Sequence, residues 1–378
     1  MEFGLSDEQQ MLQDSVARFV EREYSFEKRQ KLVTSGGAFS LANWSTFAEM
    51  GWLMLGLPEA AGGLGGSPVD TAIVMEQFGK ALVVEPYLPV AVLAARVLIE
   101  AGAETGLIAA IGTGEARPVL AHSEVGAFGT LAWVETRGEK SGNGWRLSGA
   151  KSLVLAAPCA THFIVSARTA GAPGDFADIS LFLVAPNAAG LTRQDARLAD
   201  SSRASELTLD RCEATLIGTE DEGLRIIETA HAHAAVALCA EAVGAMDKAL
   251  WTTRDYLQTR QQFGVAIGTF QSLQHRMADM LIELEMARSQ VYRALAHLGA
   301  EPAVRDQAIS SMKVQIGRSI KFTGYQAVQL HGGIGMTEEY LIGHYFKRLH
   351  MIDNALGTVG MHLGHMAAQY SAKDRKAA

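Results

Sequence analysis

The hydrophobic residues of this chain follow three rhythms, and each change of rhythm marks a boundary. Up to about residue 118 they recur at helical spacing. Met11, Leu12, Val16, Phe19 and Val20 form one stripe, and Ser6-Asp7-Glu8-Gln9 ahead of them is a capping-box pattern. Pro58 and the cluster Gly62-Gly63-Leu64-Gly65-Gly66 predict a loop. No strand leads into that cluster, so it reads as a turn and not as a phosphate-binding loop. From 119 to 217 the rhythm changes to alternation. It predicts strands over Leu131 to Arg137, Trp145 to Ser148, Phe163 to Arg168, Ile179 to Val184 and Leu207 to Leu209, with Asn143-Gly144 as a hairpin signal. From 218 onward Pro302 is the single proline, and Phe270, Leu273, Met277, Met280, Leu281 and Leu284 return to helical spacing. The pattern predicts a mainly α protein with a central β domain: helices over 1–118, strands over 119–217 and a helical bundle over 218–378.

The chain's 378 residues are enough for two or three compact units. Hydrophobic content of 48% with 20% charged residues describes an ordinary packed interior. A formal net charge of −8 argues against nucleic-acid or acidic-membrane binding. Cys159, Cys212 and Cys239 are scattered, with no C-x-x-C pair. This fits a reducing, cytoplasmic setting and no zinc site. Met1 to Asp7 carries neither a basic nor an apolar leader region, and no run of about 18 apolar residues predicts a membrane span.

Two stretches carry candidate chemistry. One is Arg260-Gln261-Gln262-Phe263-Gly264, followed by Phe270-Gln271. The other is Gln329-Leu330-His331-Gly332-Gly333-Ile334-Gly335. A guanidinium offers planar paired donors to phosphate oxygens. Side-chain amides suit ribose or phosphate, and a Gly-Gly step lets bare backbone N–H groups approach a negative charge. Together these residues match a dinucleotide's diphosphate and adenosine. Alone, the glycine stretch also fits a loop that ends a helix.

The pair, at this separation, resembles the acyl-CoA dehydrogenase flavoprotein family, and the resemblance runs end to end. Gly51 to Gly66 looks like the family's N-terminal signature loop, and Leu147-Ser148-Gly149-Ala150-Lys151 like its middle-domain hairpin. The resemblance implies a helical N-terminal domain, a β-barrel-like middle domain and a C-terminal four-helix bundle. It implies FAD as cofactor and an acyl-CoA thioester as substrate, oxidised at Cα–Cβ. A carboxylate takes the α-proton there and the flavin accepts the β-hydride. It also implies that Arg260, Gln262, Phe263, Phe270, Gln271, Gln329, Gly332, Gly333, Thr358 and Ser123 bind FAD, the adenosine-diphosphate set reaching the flavin of a neighbouring subunit.

The family's base is most often a Glu in a Tyr-Glu-Gly-Thr run. Here that run falls on Ala355-Leu356-Gly357-Thr358, and Leu356 cannot accept a proton. The alternative base position, on a helix upstream of the Arg motif, is Ala234. The usual Trp-x-Thr against the flavin ring becomes Leu153 and Leu155, and the Thr-Glu-Pro loop becomes Ser123-Glu124-Val125. One half-site is kept and the other is eroded. The chain therefore resembles the non-catalytic subunits of heteromeric acyl-CoA dehydrogenases, above all the chains called pimeloyl-CoA dehydrogenase small subunit. That implies an oligomer, dimer or tetramer, with a Glu-bearing partner, and an electron-transfer flavoprotein as acceptor. Two other enzymatic readings remain. One is a self-sufficient dehydrogenase with a displaced base, for which Asp353, His231 and His233 are the candidates. The other is a flavin monooxygenase or oxidase of the same fold.

Overall fold

A computed structural model describes residues 4–35, 39–142 and 144–377; Met1 to Phe3, and Asn143 of the hairpin signal, lie outside the described residues. The chain divides into two compact units: Met1–Gln30, Ala72–Val83 and Ala235–Ala378 form the first, Lys31–Thr71 and Val84–Ala234 the second.

The first unit is helical. Helix α1 (Asp7–Glu23) starts with the expected capping box: Ser6 Oγ accepts the Gln9 N–H at 3.2 Å and Gln9 Oε1 accepts the Ser6 N–H at 3.2 Å. The unit holds part of α4 (Pro68–Ala81) and most of α7 (Gly223–Thr259), then α8 (Gln271–His297), α9 (Pro302–His331), α10 (Leu341–Asn354) and α11 (Val359–Ala377). Pro302 stands at the first turn of α9, where its missing N–H costs nothing. Helices α4 and α7 touch backbone to backbone. A Cβ on Gly244 would lie 1.8 Å from the Glu76 carbonyl oxygen, and one on Gly79 would lie 2.0 Å from that of Glu241. Helix α7 is long and apolar enough on composition to cross a membrane, but 78% of its most apolar stretch is buried, as in a core helix. Arg348 of α10 fixes the buried Glu241 with two bonds of 2.6 and 2.7 Å.

The second unit carries the sheet. Strands β1 (Pro118–Ala121), β2 (Arg137–Ser141), β3 (Gly144–Leu155), β4 (His162–Arg168), β5 (Ile179–Val184), β6 (Leu191–Arg197) and β7 (Arg203–Ile217) pair in the order β1-β4-β2-β3-β7-β5. β5 returns to pair with β4, which closes a ring, and β6 adds outside β7. Phe182 and Leu147 pack together over Gly138 on one face of the sheet, and Phe163 and Leu181 are buried as well. Helices α2 (Phe26–Thr34, in part), α3 (Leu41–Glu49), α5 (Ala95–Glu100) and α6 (Thr105–Gly112) belong to this unit, with a π-helical stretch over Leu88–Ala94 ahead of α5. The glycine cluster is a turn, as expected. The N–H groups of Gly62, Gly63, Leu64 and Gly65 donate to the chain's own carbonyls at Glu59, Pro58, Met54 and Leu57, leaving none of these four for a phosphate.

One expected strand is absent. Leu131 to Thr136 alternates like a strand, but pairing begins only at Arg137. Side chains satisfy several of its backbone groups, while the backbone N–H of Arg168 in β4 takes the Thr136 carbonyl at 2.8 Å. Arg168, fully buried, donates to the carbonyls of Ala132 and Val134 at 2.9 and 3.2 Å. The Glu124 carboxylate accepts the N–H groups of Glu135 and Thr136 at 2.5 and 3.1 Å. Two strands escaped the alternation test. β1 is buried at all four positions, and β6 is exposed over six of its seven residues, five of them polar. The hairpin closes with Ser141 opposite Gly144, one residue earlier than Asn143-Gly144 implies.

Candidate functional site

In the first unit the two sequence motifs are joined by an aromatic stack. The His331 imidazole at the end of α9 lies 4.4 Å from the Tyr256 ring at an interplanar angle of 26°, and Tyr340 packs 5.1 Å away. The Tyr256 hydroxyl donates to the His331 carbonyl at 3.3 Å. Arg260 follows Tyr256 by one turn, its N–H on the Tyr256 carbonyl at 2.8 Å. The stack thus fixes the start of the Arg motif against the residue that precedes Gly332.

Beyond Arg260 the chain makes a hairpin, β8 (Gln261–Gln262) against β9 (Val265–Ala266). Its two-residue turn is Phe263-Gly264, with φ of 54° and 79°. This is the tight hairpin geometry that normally selects Asn or Gly at both positions. Phe263 instead places a bulky side chain on left-handed backbone, and its ring is 90% exposed, touching Phe270 edge-on at 6.1 Å. A strained and exposed aromatic is poorly explained by packing within its own chain. Arg260, Gln262, Gln271 and Gln329 are exposed, and Arg260 has no ion-pair partner among the described residues. Gly332 (φ 66°) ends α9. A Cβ on it or on Gly333 would meet nothing within 4 Å, so both backbones face open space. Gly335, one step on, is packed 3.0 Å from the Val328 carbonyl. The arrangement presents a cation, three amide side chains, an aromatic face and bare backbone: a donor set for a dinucleotide's adenosine and diphosphate.

The turn at Leu356, where the sequence resemblance expects a base, is held firmly. Leu356 sits on left-handed backbone (φ 53°), followed by Gly357 (φ 99°). The buried Lys313 donates to the carbonyls of Ala355 and Ile352 at 2.7 and 3.3 Å, and His362 Nε2 to that of Leu356 at 3.2 Å. Burial pushes the His362 imidazole down to about 4. Thr358 caps α11, its hydroxyl accepting the Met361 N–H at 3.4 Å. Asp353 is 6% exposed and committed to Lys321 at 3.1 Å. Its other oxygen faces Gly317, where a Cβ would lie 2.5 Å away.

In the second unit Ser123 is exposed, its carbonyl accepting the Ser152 N–H at 2.8 Å. Beneath it is a buried polar network that sequence reasoning missed, although its Glu and Lys both lie in the quoted motifs. Lys151 Nζ donates to Glu124 at 2.6 Å, Ser166 Oγ at 3.0 Å and the His122 carbonyl at 3.2 Å. The ammonium's three donors are all used. Burial pulls Lys151 down to about 8 against the pull of Glu124. The residues on either side of Ser123 are therefore both tied to one buried lysine. Leu153 is half-exposed on a bulge (φ 50°), and neither it nor Leu155 offers a polar group to a flavin ring. Ala234 is fully buried. His231 is pushed by burial to about 4, and His233 is bonded to Arg96 at 2.7 Å. Among the described residues no His, Cys, Asp and Glu cluster could hold a metal.

Comparison with known proteins covers nearly the whole chain. The acyl-CoA dehydrogenase N-terminal, middle and C-terminal domain models match residues 6–106, 120–212 and 221–371. Acyl-CoA dehydrogenase IpdE2 of Mycolicibacterium smegmatis is 29% identical over 97% of this chain and 99% of its own; IpdE2 of Mycobacterium tuberculosis is 30% identical over 91% of each. Among solved structures, the Tcur3481-Tcur3483 steroid ACAD superposes with a TM-score of 0.88 at 28% identity, covering 98% of this chain and 99% of the other. PigA with FAD and proline gives 0.89 at 25%, covering 99% of this chain and all (100%) of PigA. With the three domain models in order and full-length relatives on both counts, the chain belongs to the acyl-CoA dehydrogenase family.

Proposed function

We propose that this chain is a subunit of a flavin-dependent acyl-CoA dehydrogenase that supplies the adenosine-diphosphate half of an FAD site to a Glu-bearing partner and does not remove the α-proton itself. The observation that carries the reading is a contrast within the first unit. Arg260, Phe263, Gln329, Gly332 and Gly333 face outward as an intact donor set, while the base position is a leucine on a firmly tied turn.

The residues present fit the diphosphate end of FAD: an exposed guanidinium without an ion-pair partner among the described residues, and two glycine backbones with open space. They fit the ring end poorly, since Leu153 and Leu155 replace polar contacts and Ser123 is the remaining hydroxyl. FAD, when bound, supplies the electron sink for the β-hydride. In this reading Arg260 pairs with phosphate, Phe263 covers the adenine, and Gln271 and Gln329 hold the ribose or phosphate edge. Gln262, Phe270 and Thr358 line the same half-site.

The exposed apolar residues of α8, among them Leu281, Ile282 and Met286, support assembly into a dimer or tetramer. The Tcur3481-Tcur3483 pairing supports a heteromer, and its steroid designation supports a steroid side-chain thioester beside the pimeloyl-type alternative. An electron-transfer flavoprotein as acceptor, a cytoplasmic site and the division at 118/119 and 217/218 belong to the same reading. The alternative of a displaced base at Asp353 is disfavoured by its ion pair with Lys321. The test is turnover of a panel of acyl-CoAs by the chain purified alone. Negligible turnover is expected. Robust turnover abolished by Asp353→Asn would overturn the reading, and robust turnover surviving that change would move the base to His231 or elsewhere.

A further inference from the structure

His331 holds a feature that the half-site reading does not use. Its Nδ1 lies 2.8 Å from the Ala327 carbonyl, which can only accept, so Nδ1 carries the hydrogen. In the neutral ring Nε2 is then a bare lone pair. That atom is buried and has no hydrogen-bond partner, in a residue only 3% exposed. An acceptor buried without a donor is unfavourable and rare in folded proteins.

The surroundings suit a cation at this ring. Two π faces, Tyr256 from α7 and Tyr340 from the segment before α10, pack against it. The ring sits in the last turn of the 30-residue α9, the end that favours positive charge. What is missing is a counter-charge. Asp255, next to Tyr256 in sequence, is engaged by Arg254 at 2.6 Å, and no carboxylate pairs with His331 among the described residues. Arg260 follows one turn past Tyr256, its backbone N–H on the Tyr256 carbonyl. Burial without a counter-ion therefore keeps the imidazole neutral, below its ordinary range.

We infer that binding of a diphosphate at the step formed by Arg260, Gly332 and Gly333 is coupled to uptake of one proton by His331. This rests on the half-site reading above. The anion binds at the glycines that directly follow the ring in sequence. It supplies the missing counter-charge and makes the imidazolium the favoured state. The proton comes from solvent and is taken up on the Nε2 lone pair; no other bond changes. His331 is a positioning residue that adds charge behind the glycine step. Affinity for the diphosphate then declines as pH rises through the range where the bound form holds its proton and the free form does not.

The test is calorimetric titration of the full-length chain with ADP-ribose. Its phosphates are diesters and stay ionised throughout, so any proton uptake belongs to the protein. Titrations in two non-phosphate buffers of different ionisation heat give the number of protons taken up. Above the lowered range of the free imidazole uptake should approach one proton, with affinity falling by up to about tenfold per pH unit until the bound form also loses its proton. His331→Phe keeps the aromatic stack and should bind without uptake and with a flat pH profile. His331→Gln should behave the same way if the Phe variant does not fold. Binding that Arg260→Ala weakens, but with no proton uptake in the wild type, overturns this inference and leaves the half-site reading standing. Uptake unchanged in both His331 variants overturns it as well. No ADP-ribose binding either by the lone chain or by its co-purified complex with a Glu-bearing partner overturns both.

Discussion

Replacing Lys151 by methionine tests whether the buried pair beneath Ser123 holds that loop. The ammonium is fully buried and Glu124 is 2% exposed at its side chain, with 2.6 Å between the charges. Removing one partner of a buried pair costs about 3–5 kcal/mol, because the remaining charge keeps its desolvation without its counter-ion. The structure argues for the low end, about 3 kcal/mol. Glu124 still accepts two backbone N–H groups and the Thr136 hydroxyl at 2.7 Å. Ser166 loses a donor but keeps the His122 ring as a partner, and the His122 carbonyl loses the Lys151 donor. Glu124→Gln should cost a similar amount, since it leaves a buried ammonium facing neutral acceptors. In the double variant Lys151→Met/Glu124→Gln no charge remains, so its loss should be well below the sum of the two single losses. Urea unfolding at neutral pH, followed by fluorescence and circular dichroism, gives all four values. A Lys151→Met variant as stable as the wild type, or strictly additive losses, would refute the reasoning.

Glu85 gives a prediction about pH. Burial pushes its carboxyl up to about 8, with one oxygen unpartnered. A raised carboxyl means the folded chain holds the proton longer than the unfolded chain. Stability therefore falls as pH rises from about 4.5 to about 8, by roughly 3–4 kcal/mol in all. Glu85→Gln should be relatively more stable at pH 8 than at pH 5 by that order; identical pH dependence in both proteins would contradict the assignment. Phe263→Gly should leave the fold intact, because the ring is 90% exposed and its backbone is left-handed, yet lower flavin retention in the assembled oligomer. Arg260→Ala should lower that retention by about 1.5–3 kcal/mol, and unchanged retention would remove Arg260 from the site. Leu356→Glu in the lone chain should create no acyl-CoA oxidation, since Leu153 and Leu155 also lack flavin-ring contacts; measurable turnover would show the base to be the only defect.

What the sequence made legible were features whose partners lie close along the chain. Ser6 and Gln9 cap α1 from three residues apart, Pro302 starts α9, and β5 spans Ile179–Val184 as its alternation predicts. Features that depend on distant partners were not legible. Leu131 to Thr136 reads as a strand, yet its carbonyls are taken by Arg168, 34 and 36 residues away, and its N–H groups by Glu124. β1 is buried throughout and β6 is polar, so neither shows the alternation of a half-buried strand. At the site, the residue types of the diphosphate set were readable from their motifs. The stack that joins those motifs was not, because Tyr256 and His331 are 75 residues apart. The left-handed backbone at Phe263 and Leu356 was equally hidden, since neither residue type announces it.

The central claim is that this chain completes a flavin site for a partner instead of running its own. Flavin content tests it most directly: absorbance of bound flavin per protein, for the chain purified alone and after co-expression with a Glu-bearing family member. The account predicts little flavin alone, stoichiometric flavin in the co-purified complex, and loss of that flavin with Arg260→Ala. A lone chain that retains stoichiometric flavin and oxidises an acyl-CoA would contradict it.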